Sequence, residues 1–362
     1  MNKNVFPKVS IITVTYNSER TIEQTIKSVI EQTYTNIEYI VIDGMSTDKT
    51  MDILRRYKKY IHCLVHEKDF GLYDAMNKGI ELASGDIIGI LNSDDWYETD
   101  AIVNVVKNIE MNTDILYGRM MIYEDNKEIR ISTESRIENI WSRMIPHPAV
   151  FVRKCVYQKY GTFDLQYKIA ADYDMIFRFY RNGVRFQYID QVFTNFRKGG
   201  LSSQRKYDCA REVYRIAMKN IGCCDISKRD FYLKQIEEDY CCAKMYKVYE
   251  QPAKQFYEHM NQFFSLDKQI LCIFGAGVWG RRCLQKVKES GLRCSYFVDN
   301  NICHCYSDGI EIISPAKLKY MQANIIIAVS KGYGDIEKQL RAIGNPNLRW
   351  LKMFELCEEG KL

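Results

Sequence analysis

In residues 8–120, short apolar runs alternate with longer segments in which apolar residues recur at helical spacing. Short apolar runs typical of buried strands include "VSIITVT", "IEYIVID" and "DIIGIL", and the segments between them repeat apolar residues every three or four positions. In one such segment, "SERTIEQTIKSVIEQTY", one face of a helix would carry Ile22, Ile26, Val29 and Ile30. Because strands that alternate with helices form βαβ units, the pattern predicts a parallel sheet covered by helices.

The rest of the chain shows three further patterns. Residues 114–200 mix strand-like runs with the helical segment "AADYDMIFRFYRNG". The next 60 or so residues contain almost no Gly or Pro and predict two or three helices. A new βαβ unit then begins at "QILCIFGAGVWG". We therefore expect an α/β protein in three parts: residues 1–204, a helical connector at 205–266 and a small domain at 267–362.

Composition excludes several classes of protein. The 362 residues are 46% hydrophobic and 27% charged, as in an ordinary globular chain, and a net charge of +5 does not call for nucleic acid as a partner. No window approaches the roughly 18 uninterrupted apolar residues of a membrane span, and the start of the chain lacks the apolar core of a signal peptide. The thirteen cysteines are interpreted as buried, reduced thiols of a cytoplasmic protein.

Polar side chains follow the predicted N-terminal strands. In chain order they are Thr15, Tyr16, Asp43, Ser93, Asp94 and Asp95. The carboxyl ends of parallel strands meet at one edge, so we expect these residues to share a crevice. An aromatic ring and separate carboxylates suit a nucleoside diphosphate held with Mg²⁺, a cation that takes one or two carboxylates plus phosphate oxygens. Two ordinary interpretations stay open: Asp43 as a turn residue, and the aspartate pair as the cap of a helix near Tyr97.

Two long stretches of the chain together resemble a known family. "VSIITVTYNSERTIEQTIKSVIEQTYTNIEYIVIDGMSTDKT" and "HEKDFGLYDAMNKGIELASGDIIGILNSDD" resemble the inverting family 2 glycosyltransferases of GT-A fold, of the kind that builds bacterial exopolysaccharide and lipopolysaccharide. The resemblance covers roughly residues 7–204. It implies a mostly parallel GT-A sheet and transfer of a sugar, dependent on Mn²⁺ or Mg²⁺, from a nucleotide-sugar donor, most simply a UDP-sugar. The implied acceptor is a saccharide or is lipid-linked.

The resemblance also assigns roles to residues. The positions implied to bind the nucleotide sugar are Thr15, Tyr16, Asp43, Asp69, Asp74, Asn77, Ser93, Asp94 and His147. The metal motif of the family is aspartate, any residue, aspartate. Here its first position is Asn92, which leaves Asp94 as the implied metal ligand, with Asp95 beside it.

Inverting transfer needs one general base to accept the proton of the acceptor hydroxyl. The segment "KIAADYDMIFRFYRNG" offers Asp172 and Asp174 near the start of a predicted helix. From the residues alone, a helix cap is the alternative role for Asp172. The resemblance places the catalytic base at Asp172 and leaves Asp174 to orient or pack. Family members carry an acidic or small polar residue just before the base, where this chain has Ala171.

A glycine–serine segment, "FRKGGLSSQ", resembles the flexible loop that follows the last strand of the family's catalytic domain. Gly199 and Gly200 would permit a mobile lid, and Ser202 would meet phosphate. The alternative is an interdomain hinge.

The C-terminal part contains a glycine motif between a predicted strand and a predicted helix. "CIFGAGVWG" places Gly275, Gly277 and Gly280 between a strand and a helix, and Asp299 follows the next strand. This arrangement sets a pyrophosphate on a helix N-terminus and a ribose on the acid, so it predicts a Rossmann-like domain with NAD or another nucleotide. Only about 90 residues are available, too few for a complete dehydrogenase. The alternative is therefore a scaffold that the glycines merely stabilise.

Two other functions are alternatives to glycosyl transfer. Asn92 and Ala171 depart from the family pattern and allow a nucleotide-sugar-binding or assembly protein without turnover. A sugar nucleotidyltransferase is disfavoured, because no glycine- and lysine-rich activation loop occurs near the N-terminus. The middle helices interleave Tyr with Lys and Arg, which suits either a plain connector or peripheral contact with the inner face of the cell membrane.

Overall fold

The chain forms two compact units, Met1–Tyr232 and Leu233–Leu362, each built around its own sheet. The structure, a computed structural model, describes residues 6–124, 127–132, 134–141, 144–264, 266, 270–301 and 305–357. The division into three parts expected from the sequence stays a prediction.

In the residues that the structure describes, the first unit contains nine strands and most of the helices. Its strands are β1 (Val9–Thr15), β2 (Ile37–Asp43), β3 (Cys63–His66), β4 (Ile87–Asn92), β5 (Trp96–Tyr97), β6 (Ile115–Glu124), β7 (Lys127–Ile131), β8 (Val150–Arg153) and β9 (Phe186–Arg197). Its helices are α1 (Ile22–Ile30), α2 (Thr50–Arg56), α3 (Leu72–Leu82), α4 (Ala101–Asn108), α5 (Lys154–Tyr160), α6 (Ala171–Arg181), α7 (Leu201–Gln204) and α8 (Lys206–Asn220). The next helix along the chain is α9 (Ile226–Glu250).

The first sheet has the strand order β3-β2-β1-β4-β8-β6-β9-β5, with β7 paired to β6. Its first four strands are parallel, as the alternating pattern predicts, whereas β8 runs antiparallel to both β4 and β6. Every residue of β1 is buried, because helices cover both faces of a parallel sheet. On α1, the predicted apolar face of Ile22, Ile26 and Val29 packs into this core.

The segment after the aspartate pair differs from expectation. Trp96 and Tyr97 form the short strand β5 and pair with Asn195 and Thr194 of β9. The following helix begins only at Ala101. The helix expected near Tyr97 is therefore wrong, and with it the interpretation of the aspartates as its cap. Cross-strand pairing to β9, invisible in the local sequence, decides this segment.

The second unit contains a six-stranded sheet. Its elements are α10 (Ala253–Phe263), β10 (Ile270–Phe274), α11 (Val278–Glu289), β11 (Tyr296–Val298), β12 (Cys305–Ser307), β13 (Ile310–Ile313), β14 (Ala323–Ile327), α12 (Tyr333–Ala342) and β15 (Leu348–Lys352). The order is β12-β13-β11-β10-β14-β15, and every neighbouring pair is parallel except β12 with β13. The parallel strands thus follow the order 3-2-1-4-5 of a Rossmann-type sheet.

The structure shows the state and the exposure of the described cysteines. Of the thirteen cysteines, the twelve in the described residues are free thiols. Cys155, Cys223 and Cys305 are exposed, so the expectation of burial is wrong for these three. Among the described helices, none is both long and apolar enough to cross a membrane.

Candidate active site

The carboxyl ends of the four parallel strands lie side by side. Thr15 of β1 is opposite Asp43 of β2, which is opposite His66 of β3. On the other side of β1, Val14 is opposite Asn92 of β4. Thr15, Asp43 and the "NSDD" turn therefore meet at one edge of the sheet, as the expected crevice requires. Open α/β sheets bind their ligands at this edge.

Asp43 is fully buried at the end of β2. Its Oδ2 accepts the backbone N–H of Ser46 at 2.9 Å and lies 2.6 Å from Nδ1 of His66. Asp43 thus does hold a turn, as its ordinary interpretation required. Beside it, the buried hydroxyl of Thr15 has no partner among the described residues, and the Tyr16 ring is 61% exposed. The edge therefore offers an unsatisfied hydroxyl and an open aromatic face.

Asp69 lies over the turn that follows β2. Its Oδ2 is 2.3 Å from the position that a Cβ on Gly44 would occupy, and its Oδ1 accepts the N–H of Gly71 at 2.9 Å. Gly71 has φ +115°, a backbone conformation that favours glycine, and immediately precedes α3. Both glycines are therefore needed to bring this carboxylate close to the strand ends.

Asp74 and Asn77 of α3 have partners within the fold. Asp74 accepts the N–H of Phe70 at 3.1 Å and lies 3.5 Å from Nζ of Lys78. Asn77 exchanges two hydrogen bonds, each of 2.9 Å, with the backbone of Phe163. These side chains position α3 and its neighbouring loops, and their contact with a donor stays a prediction.

The two adjacent aspartates have different surroundings. Asp95 is 1% exposed, and its carboxylate accepts the backbone N–H of Arg197 at 3.0 Å. Burial, and then the charge of Asp94, raise the pKa of Asp95 well above its usual range. Burial also raises the pKa of Asp94, and the Arg197 cation opposes that rise. Asp95 therefore joins the turn to β9, which leaves Asp94 as the carboxylate better placed to meet a ligand.

The glycine–serine loop lies next to Asp94. A Cβ on Gly200 would be 3.5 Å from Oδ2 of Asp94, and Gly199 has φ +115°. Ser93, at the same turn, has its hydroxyl 2.8 Å from that of Ser18. A movement of this loop would cover or uncover the Asp94 carboxylate, although the lid itself and the role of Ser202 stay predictions.

The surroundings of Asp94 fit a divalent cation that is shared with a diphosphate. Within the part of the chain that the structure describes, no three His, Cys, Asp or Glu side chains come close enough to form a complete metal site. Mg²⁺ and similar hard cations are commonly held by one or two carboxylates together with substrate phosphates. The buried Oδ1 of Asn92, which has no partner among the described residues, is a further oxygen at this turn.

A second part of the site is a cavity of about 470 Å³ beside α6. Its lining includes Asp172 and His147 together with the side chains of Met120, Met144, Ser132 and Ser135. Burial raises the pKa of the Asp172 carboxyl, and the nearby His147 opposes that rise. Burial lowers the pKa of His147, so the imidazole is neutral near pH 7. A carboxylate of raised pKa facing a cavity is a better proton acceptor than one in water.

Asp174, the other candidate base, belongs to a different environment. Its side chain is 12% exposed, and Oδ2 lies 3.8 Å from Nε of Arg178 on the next turn of α6. It does not line the cavity that contains Asp172. The cavity thus favours Asp172 as the candidate base. The N-cap residue of α6 is Ala170, but Oδ1 of Asp172 accepts the N–H of Tyr173 at 2.9 Å, so the role of Asp172 as a cap stays an alternative.

Sequence reasoning missed three residues that contact the predicted site. The Tyr73 hydroxyl donates to Oδ1 of Asp172 at 3.1 Å and to the carbonyl of Ile169 at 2.7 Å. Arg197 binds the Asp94 carbonyl through Nε at 3.3 Å. Glu212 binds the segment before α6. Tyr73 lies on the apolar face of α3, so the helical periodicity assigns it to the core. No local sequence pattern marks Arg197 or Glu212 as part of the site.

The C-terminal glycines differ in what surrounds them. Gly275 has φ +102°, and a Cβ on Gly280 would lie 1.7 Å from the Gly275 carbonyl oxygen. A Cβ on Gly277 would meet no atom within 4 Å. Asp299 accepts the N–H of Ala276 through Oδ2 at 3.0 Å, so its carboxylate is bound to the glycine loop itself. Nucleotide binding here stays a prediction.

The sequence of the chain is similar to those of known proteins. The family model described as "Glycosyl transferase family 2" matches residues 10–193. A "PGL/p-HBAD biosynthesis glycosyltransferase" of Mycobacterium tuberculosis (strain ATCC 25177 / H37Ra) is 31% identical over 206 residues, covering 54% of this chain and 80% of the relative. The "Putative teichuronic acid biosynthesis glycosyltransferase TuaG" of Bacillus subtilis (strain 168) is 40% identical over 99 residues, 26% of this chain and 39% of that protein.

Two solved structures show a similar fold. S. aureus TarS 1-349 in complex with UDP-GlcNAc gives a TM-score of 0.53 at 18% identity, over 83% of this chain and 95% of that chain. A longer TarS chain is matched over only 48% of its length. The mannosyltransferase PcManGT from Pyrobaculum calidifontis, in complex with GDP-Man and Mn²⁺, gives a TM-score of 0.51 at 20% identity, over 68% of this chain and 77% of that chain.

Proposed function

Since the chain belongs to glycosyl transferase family 2 and has the GT-A fold, we propose that it transfers a sugar with inversion from a UDP-sugar to a hydroxyl of a saccharide or lipid-linked acceptor. The acceptor would belong to cell-surface polysaccharide synthesis, in keeping with the names of the relatives. The transferred group would be a hexosyl or N-acetylhexosaminyl residue.

The observation that carries the proposal is the position of α3. At its N-terminal end, Asp69 lies over Gly44 beside the strand ends, where a nucleoside would bind. One turn later, Tyr73 of the same helix donates a hydrogen bond to Asp172. A single short helix thus links the donor edge of the sheet to the candidate base, as transfer between two bound substrates requires.

On the donor side, Thr15, Tyr16 and Asp43 would contact the nucleoside, with Asp69 nearby. Asp94 would hold Mn²⁺ or Mg²⁺, and the bound ion would supply positive charge to the diphosphate leaving group. Asp95 would contribute mainly by fixing the turn, because its carboxylate is buried against the backbone of Arg197.

On the acceptor side, the Asp172 carboxylate would take the proton from the acceptor hydroxyl. The acceptor oxygen then forms a bond to the anomeric carbon, while the bond from that carbon to the diphosphate oxygen breaks and releases UDP. The proton on Asp172 returns to solvent after the product leaves. His147, held neutral by burial, would line the acceptor pocket without competing for this proton.

The test of the donor side is calorimetric titration of UDP in Mn²⁺, in Mg²⁺ and in EDTA. We expect measurable UDP affinity only with a divalent cation, and we expect Asp94→Asn to lower that affinity at least about tenfold. Equal UDP affinity with and without EDTA would contradict the metal assignment.

Turnover is tested separately by slow UDP release from a panel of UDP-sugars. Release of UDP that needs the metal supports the enzyme. Tight binding of a UDP-sugar without any release, with or without acceptor, would instead indicate the nucleotide-sugar-binding protein that Asn92 and Ala171 allow.

A further inference from the structure

Glu212 of α8 binds the backbone that leads into α6. Its Oε2 accepts the N–H groups of Ile169 and Ala170, each at 2.9 Å, and its Oε1 accepts that of Lys168 at 2.9 Å. One carboxylate thus satisfies three consecutive backbone donors just before the first residue of α6, Ala171.

The three N–H groups belong to residues that precede α6, so the hydrogen-bond ladder of the helix offers them no acceptor. A Ser, Thr, Asp or Asn at the N-cap would not serve them either, because its side chain bonds the N–H of the second or third helical residue. Here the N-cap residue is Ala170, whose side chain accepts no hydrogen bond. The acceptor comes instead from a different helix, about 40 residues further along the chain.

The same segment is also held from its opposite side. The Tyr73 hydroxyl donates to the carbonyl of Ile169 at 2.7 Å and to Oδ1 of Asp172 at 3.1 Å. Glu212 therefore fixes the N–H side of the segment that positions Asp172, and Tyr73 fixes its carbonyl side. Ala171, directly before Asp172, has no polar side chain that could do so.

We propose that Glu212 is a positioning residue for the general base Asp172. Its carboxylate holds residues 168–170 and thereby keeps the Asp172 carboxylate facing the cavity. The inference rests on the proposed function, because it assigns Asp172 the role of base. Glu212 itself does not line the cavity.

The experiment compares Glu212→Met, Glu212→Gln and the wild type for acceptor-dependent sugar transfer. Met keeps the length of the side chain but removes both acceptor oxygens, so we expect kcat to fall roughly 10- to 100-fold. Gln keeps one acceptor oxygen and should recover part of this loss. The UDP affinity should stay within about twofold of wild type, since the donor residues lie on other elements.

A pH–rate profile separates positioning from a merely structural role. Activity should rise with pH as Asp172 loses its proton. Once its segment is released, Asp172 gains solvent and its pKa moves down towards the usual value, so the acid limb of Glu212→Met should shift to lower pH. A purely structural role would lower the folded fraction and leave the acid limb in place.

Asp208→Asn is the matched control. Asp208 lies one turn before Glu212 on α8 and forms a surface pair with Arg205 at 2.8 Å. We expect this variant to keep wild-type kcat and the wild-type profile.

Wild-type kcat and an unshifted acid limb in a folded Glu212→Met protein would overturn the proposal. Should that variant fail to fold, the same result in Glu212→Gln would overturn it. If the wild type releases no UDP from any UDP-sugar, the proposed function fails and this inference falls with it. If the wild type does release UDP, but the Glu212 variants have the kcat and the acid limb of the wild type, the proposed function stands and the inference alone fails.

Discussion

Replacing Asp172 by Asn removes the proposed proton acceptor while preserving its surroundings. The Asn side chain has the same shape, and its Oδ1 can still accept the hydrogen bond that Tyr73 donates at 3.1 Å in the wild type. General-base catalysis typically contributes 10²- to 10⁴-fold, which corresponds to about 2.7–5.4 kcal/mol at 1.36 kcal/mol per tenfold change in rate. We therefore expect kcat for transfer to fall by that factor.

The same substitution should leave donor binding and folding intact. UDP and metal bind at the strand ends, so their affinity should be unchanged. The pKa of Asp172 is raised by burial. The unfolded chain therefore loses the Asp172 proton at lower pH than the folded protein does. As the pH rises from the unfolded pKa through the folded pKa, the free energy of unfolding falls, and the loss remains at higher pH. Asp172→Asn should thus be at least as stable as wild type at pH 7, and the difference in Tm should shrink as the pH falls towards about 4.

The assay measures steady-state transfer with saturating UDP-sugar, calorimetric UDP affinity and thermal unfolding at pH 7 and pH 4. Asp174→Asn is the matched control, since this carboxylate lies on the same helix 3.8 Å from Arg178 and away from the cavity. Near-normal transfer by the Asp172 variant together with an inactive Asp174 variant would refute the assignment of the base.

Two further substitutions test contacts that the structure reveals. Tyr73→Phe removes the hydroxyl proton that Oδ1 of Asp172 shares with the Ile169 carbonyl. A full hydrogen bond to a charged group is worth about 1.5–3 kcal/mol, so sharing should limit the fall in kcat to roughly tenfold, with unchanged UDP affinity; an unaltered rate would exclude Tyr73 from orienting Asp172. Gly44→Ala places a Cβ 2.3 Å from Oδ2 of Asp69 and should displace that carboxylate and weaken UDP binding by calorimetry. Gly222→Ala, whose Cβ meets no atom within 4 Å, is the control, and equal UDP affinity in both variants would show that Asp69 is not needed.

The parallel half of the first sheet could be predicted because its signal is local. Each of β1, β2 and β4 is mostly apolar, and each ends in a polar residue that now lies at one edge of the sheet. Because the carboxyl ends of parallel strands lie at the same edge of a sheet, the parallel topology alone predicts that these residues lie close together. Thr15, Asp43 and the "NSDD" turn were therefore accessible from sequence.

The contacts that give neighbouring residues of the same type different surroundings could not be predicted from the sequence. Nothing in "NSDD" indicates that Asp95 binds the backbone of Arg197, which lies about 100 residues away on β9. Likewise, nothing near Ala171 indicates that Glu212 satisfies the N–H groups before α6. Both contacts join elements that are distant in sequence, and their formation depends on packing rather than on any local pattern.

The glycine motif of the second unit shows how packing can produce a pattern that ligand binding would also produce. Gly275 adopts φ +102°, which only glycine adopts readily, and Gly280 admits no Cβ because the Gly275 carbonyl oxygen would lie 1.7 Å away. The fold alone thus requires two of the three glycines, whether or not a nucleotide binds. Only Gly277 has room for a side chain, so the case for a pyrophosphate at this helix rests on Gly277 and not on the motif as a whole.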